Sequence, residues 1–326
     1  MREFAYTRAR DVDGAVALVA DNPGARYLGG GTNLVDLMKL GVERPELLVD
    51  VTGLPLDEVT EDDGGGLRVG AQVRNSDLAA HPLVRHRYPM LSEALLSGAS
   101  GQLRNVATTG GNLMQRTRCG YFTDPSKPCN KRVPGSGCPA IEGQHHNLAI
   151  LGASDHCVAT HPSDLAVALA ALDARVLVHD LVGPREVPLE DFYRPVGDRP
   201  DRELNMRDGA LVTGIVLPPP VAGRSHYRKV RERASYAFAI GSVAAVLAVE
   251  AGRVSDVRIA LGAVASHPWR ARVAEQSVHG GPPSAAAFEA AAEAELGAAR
   301  PLRDNAYKVP LMRNLIVAVL TELAGR

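Results

Sequence analysis

Apolar residues at Val12, Ala15, Val16 and Val19 follow the spacing of one helix face and predict a helix over residues 11–20. A short strand-like run, Arg26-Tyr27-Leu28, leads into three consecutive glycines. From Asn33 to Met38 the pattern is helical again, and Gly41 supplies a stop. Residues 47–51 predict another strand, so the chain opens as a small α/β unit. A strand is expected over residues 67–71, behind the turn Asp63-Gly64-Gly65-Gly66. Asn75 or Ser76 is placed to cap a short helix, and residues 90–97 predict a second one. Ser100 through Asn112, rich in Gly, Thr and Asn, reads as a structured loop. Residues 117–162 show little periodicity and are dense in Gly, Pro, Lys and Cys. A loop this long is functional or stapled, and without an apolar pattern it is not expected to order itself by burial. Helical spacing returns over residues 163–172 with Ser163 as cap. Pro218-Pro219-Pro220 with Gly223 marks a domain boundary. Beyond it, residues 242–250 and 253–261 predict strands, 285–299 an alanine-rich helix and 311–323 an amphipathic one.

The 326 residues suit two or three domains. Charged residues make up 22% with a net charge of −1, so no basic excess exists to bind a phosphate backbone, and nucleic acid is not an expected partner. At 4%, aromatic residues are too sparse for base stacking. The longest apolar run, residues 243–249, is too short to span a bilayer. The N-terminus, Met1-Arg2-Glu3-Phe4-Ala5-Tyr6, has no apolar core and no twin arginine. The chain reads as cytoplasmic, or as carried out of the cytoplasm by an exported partner.

Three constellations are able to carry chemistry. In Leu28-Gly29-Gly30-Gly31-Thr32-Asn33-Leu34 a strand leads in and a helix leads out, an arrangement that lets the backbone approach a phosphate. A tight strand-to-helix turn explains the same glycines. Thr108-Thr109-Gly110-Gly111-Asn112 repeats the theme, with hydroxyls as extra donors. Together the two loops suit a dinucleotide pyrophosphate gripped from both sides. The third constellation is the set of four cysteines, Cys119, Cys129, Cys138 and Cys157, all inside the aperiodic segment. Their spacing matches neither a zinc knuckle nor a common ferredoxin run, and leaves disulfides, zinc and iron–sulfur open.

Ser100-Gly101-Gln102-Leu103-Arg104-Asn105 and Thr109-Gly110-Gly111-Asn112-Leu113-Met114-Gln115-Arg116-Thr117-Arg118-Cys119 resemble the second FAD motif of the flavin subunits of molybdenum hydroxylases, the xanthine dehydrogenase family. Pro128-Cys129-Asn130-Lys131-Arg132 and Pro134-Gly135-Ser136-Gly137-Cys138 resemble the extra loop of its periplasmic aldehyde oxidoreductase branch, where four cysteines hold a [4Fe–4S] cluster. The flavin subunit of 4-hydroxybenzoyl-CoA reductase has a comparable insert. The similarity extends to Thr160-His161-Pro162-Ser163-Asp164, Tyr227-Arg228-Lys229-Val230-Arg231 and Pro268-Trp269-Arg270.

The resemblance implies an α+β fold: a vanillyl-alcohol-oxidase-type (PCMH-type) FAD-binding domain over residues 1–220 and a C-terminal α+β domain over 221–326, as in CO dehydrogenase flavoprotein subunits. The first would comprise a small lobe, 1–55, and a larger lobe, 56–220, carrying the cysteine-rich insert 117–162. It also implies site residues. Arg26, Tyr27, Leu28, Gly29, Gly30, Gly31, Thr32, Asn33 and Leu34 would line the pyrophosphate and ribityl chain of FAD. Thr108, Thr109, Gly110, Gly111 and Asn112 would close the other side. Asp164 would accept from a ribose hydroxyl or a neighbouring polar group, Ile215 would contact FAD by backbone or packing, and Lys229 would lie near the flavin. Cys119, Cys129, Cys138 and Cys157 would hold the cluster. No catalytic residue is implied on this chain. The expected role is electron transfer in a heterotrimeric aldehyde oxidoreductase, between a molybdenum-cofactor catalytic subunit with its [2Fe–2S] partner and an external acceptor. Two other readings stand beside it: the flavin subunit of a hydroxylase of the xanthine dehydrogenase or 4-hydroxybenzoyl-CoA reductase type, and a metal- or disulfide-stapled binding module without redox function. On the last reading Ser163-Asp164 is a helix cap, Ile215 strand core and Lys229 a solvated charge.

Overall fold

The computed structural model describes residues 1–325. Strands β1 (Ala5–Arg8), β2 (Ala25–Leu28) and β3 (Leu47–Asp50) form a parallel sheet in the order β1-β3-β2. The Val12–Asp21 helix makes the crossover between β1 and β2. The Asp11 carboxylate caps it by accepting from the Gly14 amide at 2.6 Å, and Ala15 and Val16 form its buried face against Ala25 and Val49. A second sheet, antiparallel throughout, orders β4 (Val59–Glu61), β5 (Leu67–Gly70), β6 (Arg175–Asp180), β7 (Gly183–Pro188) and β8 (Leu211–Leu217) as β4-β5-β8-β6-β7. The third sheet, also antiparallel, runs β12-β11-β10-β9, from β9 (Arg224–Val230), β10 (Gly241–Glu250), β11 (Arg253–Gly262) and β12 (Trp269–Arg270).

The apolar run around residues 243–249 is the strand shared by two cores. Side chains alternate across a strand. Ala244 and Val246 face the core that holds the Asp164–Ala171 helix, while Val243, Ala245 and Leu247 face the core of the C-terminal helices, including Phe288, Ile316 and Leu320. A strand covered on both faces needs an unbroken hydrophobic sequence, which is what β10 has. The Asp164–Ala171 helix, wedged against β10, β11 and the Pro89–Ser97 helix, is correspondingly buried at every position but Ala170.

Several expectations shift. Residues 100–112 are not simply a loop. They contain the Gly101–Arg104 and Thr109–Leu113 helices, capped by Ser100 and Thr108, both too short to display a period. Asn75 begins the Asn75–Ala80 helix as a buried residue rather than capping it. The last helix, Lys308–Gly325, starts three residues earlier than its apolar pattern, because Pro310 in a first turn gives up no needed amide. The alanine-rich helix stops at Leu296, ahead of Gly297.

The largest correction concerns the insert. Despite its aperiodic sequence it builds a small core of Cys119, Phe122, Ala140, Leu148, Cys157 and Val158, closed by Leu37 from the Leu34–Lys39 helix. It then docks on the C-terminal part: the amides of Ile150 and Leu151 both donate to the Val264 carbonyl at 2.9 Å, and the Arg300 amide donates to Ile150 at 2.7 Å. The Asn305 side chain donates to the carbonyls of Leu148 and Ala149 at 3.3 and 3.1 Å. Lys308, fully buried, donates to the carbonyls of Leu148 and Ala263. The burial is irregular in sequence because, apart from Phe122 on the one-turn Gly120–Thr123 helix, turns rather than regular elements of the insert present these side chains.

Lys308 yields a test. Burial pushes its ammonium down to about 7, against an ordinary value near 10.4 in the unfolded chain. Between these values the unfolded state holds a proton that the folded state has released, so this group makes stability rise with pH across roughly pH 7 to 10. Thermal melting of Lys308→Met should lack that increment and show a flatter dependence than the parent protein over the same range.

Candidate functional site

The two glycine loops meet. A Cβ on Gly30 would stand 2.1 Å from the Val106 carbonyl oxygen, and one on Gly29 would stand 3.2 Å from the Thr108 hydroxyl. Gly31, at φ +73°, turns the chain from β2 into the Leu34–Lys39 helix. Residues 27–34 are half-buried and open to a ligand. Among the described residues, the amides of Gly30, Gly31 and Thr32 donate to no protein acceptor, and the buried Asn33 Nδ2 has no partner. Unpaired donors converging beside glycine backbone suit a diphosphate. The Arg26 guanidinium donates to the carbonyl of Ala25 at 2.7 Å and stands 3.8 Å from Glu43, and Tyr27 Oη donates to the carbonyl of Gly209 at 2.5 Å.

The second loop is built differently from the first. The amides of Thr109 and Gly110 donate to the carbonyls of Val73 and Ala71, and the Thr109 hydroxyl to Val73 at 3.0 Å. Thr108 Oγ1 accepts from the Gly111 amide at 3.2 Å. The donors of Thr109 and Gly110 pin the loop to residues 71–73 and the Gly111 amide is spent on the Thr108 cap; the Thr108 hydroxyl proton remains for a ligand. Asn112 Oδ1 accepts from the Ser163 hydroxyl at 2.7 Å, tying the loop to the start of the Asp164–Ala171 helix.

Asp164, Tyr227 and Lys229 come together as a buried triad across the seam between that helix and β9. Asp164 accepts from Tyr227 Oη at 2.5 Å and from Lys229 Nζ at 2.8 Å, and Lys229 also donates to the Ser97 carbonyl at 3.1 Å. Burial, then the Asp164 charge, keep the Tyr227 phenol proton well above its ordinary value. Ser163 caps the helix as the sequence suggests, with the Ala166 amide at 3.0 Å. Ile215 is a fully buried residue of the central strand β8, flanked by Val69 and Val176.

The four thiols are free and share the insert's small core. Cys138 and Cys157 are hydrogen-bonded to each other, which favours loss of one thiol proton and retention of the other. Burial pushes the Cys119 thiol up. The Ala159 amide donates to Cys157 Sγ at 3.5 Å. Among the described residues no three His, Cys, Asp or Glu side chains close on a point that would hold a single metal ion. Buried Asn130 organises the pocket. It exchanges hydrogen bonds with Gly137, beside Cys138, and its Nδ2 donates at 2.9 Å to the carbonyl of His156, beside Cys157. Its position between Cys129 and Lys131 was visible in the sequence; its bridging role was not.

A chain of partly buried charges joins the cysteine core to the first loop. The Arg116 amide donates to Asn33 Oδ1 at 3.1 Å, and its guanidinium pairs with Glu43 at 2.6 Å and Glu203 at 2.7 Å. Glu203 also binds Lys131 at 2.7 Å. Burial pushes Glu203 up, but Arg116 and Lys131 outweigh it and hold the carboxyl below its ordinary range. Nothing in the sequence announces Glu203, which lies far along the chain from its partners.

Residues 2–220 match the family of the FAD binding domain in molybdopterin dehydrogenase, and residues 225–323 match the CO dehydrogenase flavoprotein C-terminal domain. The chain belongs to this flavin-subunit family. As a flavin subunit of the molybdenum hydroxylase type it is an FAD-binding oxidoreductase component. It is 48% identical over 323 residues, covering 99% of this chain and 98% of the relative, to the aldehyde oxidoreductase FAD-binding subunit PaoB of Escherichia coli (strain K12). It is 26% identical to the glyceraldehyde dehydrogenase medium chain of Sulfolobus acidocaldarius, covering 85% of this chain and 82% of that one. Among solved structures, carbon monoxide dehydrogenase from Hydrogenophaga pseudoflava aligns with a TM-score of 0.78 at 25% identity, covering 99% of this chain and 98% of that one. The reconstituted CO dehydrogenase from Oligotropha carboxidovorans aligns with a TM-score of 0.79 at 22% identity, covering 100% and 99%. The fold is therefore the α+β arrangement of the CO dehydrogenase flavoprotein subunits. Among the described residues no helix is long and apolar enough to cross a membrane.

The first loop of this flavin subunit has no room for a side chain at position 30. Gly30→Val should lose FAD and also weaken the fold by about 3 kcal/mol, the upper range for overpacking, because the clash is with backbone. Flavin content of the purified variant and its denaturant midpoint check both; full FAD occupancy would show that the loop does not hold the phosphates.

Proposed function

We propose that this chain is the electron-transferring subunit of a molybdenum-dependent aldehyde oxidoreductase and that it holds a [4Fe–4S] cluster as well as FAD. The full-length 48% identity to a subunit named for aldehyde oxidoreductase carries the substrate class. The partners on this reading are a molybdenum-cofactor catalytic subunit and a [2Fe–2S] subunit in a heterotrimer, with an external electron acceptor.

The chain's own residues have defined tasks. Gly29, Gly30, Gly31, Thr32 and Asn33 offer the donors for the pyrophosphate, with Leu28 and Leu34 bounding the ribityl path. Thr108, Gly111 and Asn112 close the opposite side, while Thr109 and Gly110 hold that loop in place. Asp164 and Lys229 neutralise each other and lock the seam beside the site, and the core residue Ile215 supports the sheet behind it. Bound FAD exchanges electrons singly or in pairs and so joins one-electron carriers to a two-electron acceptor. Cys119, Cys129, Cys138 and Cys157 would each ligate one iron; the fit rests on four free thiols gathered in or against one small core, with the Ala159 amide donating to the Cys157 sulfur.

The test uses the co-expressed complex. The purified complex should contain one FAD and about four irons per copy of this chain, and oxidise aldehydes in preference to purines or aromatic thioesters. Cys129→Ser and Cys138→Ser should lose the iron and loosen residues 119–157 in hydrogen exchange while retaining most FAD. One zinc, or two disulfides without metal, would overturn the cluster; activity confined to purines would overturn the substrate class.

A further inference from the structure

Lys131 is the cation of the charge chain that lies within the cysteine insert itself, while Arg116 reaches the same core by lying 4.6 Å over the Phe122 ring. Its ammonium is 4% exposed and is fixed by Glu203 at 2.7 Å and the Pro200 carbonyl at 3.2 Å. It follows Cys129 by two residues in a turn closed by the Arg132 and Val133 amides on the Cys129 carbonyl, and it lies within electrostatic reach of Cys157. Its neighbour Asn130 stitches the segments that bear Cys138 and Cys157. The other charges, Glu203, Arg116 and Glu43, lead away toward Asn33 in the first glycine loop. The charges alternate in sign from Lys131 through Glu203, Arg116 and Glu43 to the half-exposed Arg26, 3.8 Å from Glu43, and Lys131 is the end on the cysteine side.

We propose that Lys131 is a positioning residue that fixes a positive charge beside the cysteine pocket and thereby raises the potential at which a cluster held there accepts an electron. The inference rests on the cluster reading above. Reduction places one further negative charge on the group among the thiolates, the electron coming from a one-electron donor such as an iron–sulfur partner. A cation held in a site of low dielectric stabilises that added charge more than it stabilises the oxidised state. Glu203 both holds Lys131 and screens it, so the two residues act in opposite directions.

The experiment is a potentiometric titration of the complex followed by electron paramagnetic resonance, with iron and FAD measured on each sample. In Lys131→Met the ratio of reduced to oxidised cluster at the parent midpoint should fall by roughly tenfold, which for a one-electron couple corresponds to a shift of about 59 mV to lower potential. Lys131→Arg should restore the parent value. Glu203→Gln should move the midpoint upward. A purely structural role would not reverse sign between the two sites. Parent-like midpoints in Lys131→Met and Glu203→Gln, with iron retained, overturn this inference alone. If Lys131→Met comes without iron, Glu203→Gln decides, and an unchanged or lowered midpoint there counts against the inference. A parent complex devoid of iron overturns the cluster reading itself and this inference with it.

Discussion

The carbonyl oxygen of Val106 occupies the place where any residue but glycine at position 30 would put its Cβ, 2.1 Å away. The site depends on that approach. It presses the turn after β2 against the segment that starts the Thr109–Leu113 helix, so loops some eighty residues apart become two walls of one groove. With the wall in place, Asn33 meets Arg116, Leu37 closes the cysteine core, and Asn112 reaches Ser163. A bulkier turn would displace not one contact but the alignment of three segments. Glycine costs conformational entropy on folding, and here the return is proximity that no other residue allows.

Electrostatics finishes the assembly that sterics begins. Removing ions from water is costly unless each is paired with good geometry. The buried and half-buried charges meet that condition by sharing partners: Glu203 serves both Arg116 and Lys131, and Asp164 serves both Lys229 and Tyr227. Lys308 is the exception, satisfied by carbonyls rather than a carboxylate, and its ammonium is the one pushed toward neutrality. Each of these groups sits at a junction between segments that apolar packing alone would leave free to slide. The cysteine insert, docked on the Leu34–Lys39 helix through Leu37 and on the C-terminal part through Val264, occupies two such junctions.

How much of this was legible in the sequence differs by region. The first helix, the Ser163 cap and strands β10 and β11 follow from periodicity and capping, because their burial is regular. Strands β6, β7 and β9 were missed: β7 and β9 are half polar, with Glu186 and Arg224 exposed, and too few apolar positions repeat in them. The glycine motifs pointed to the groove, but not to its asymmetry, since whether an amide is free depends on what packs against it. For the second loop that is the backbone of residues 71–73. The four cysteines stood out by their clustering; the Asn130 bridge and the Glu203 anchor did not, because both depend on contacts that only the folded chain creates.

Strand β10 carries an implication for the history of the chain. Ala244 and Val246 answer to the Asp164–Ala171 helix, whereas Val243, Ala245 and Leu247 answer to the C-terminal helices. Neighbours in sequence are thus strangers in packing. As relatives of this chain diverge, an enlarged side chain at 244 should be compensated at positions such as Val167, and one at 245 at positions such as Ile316. Two interleaved patterns of covariation should therefore run along a single strand, one residue out of step with each other.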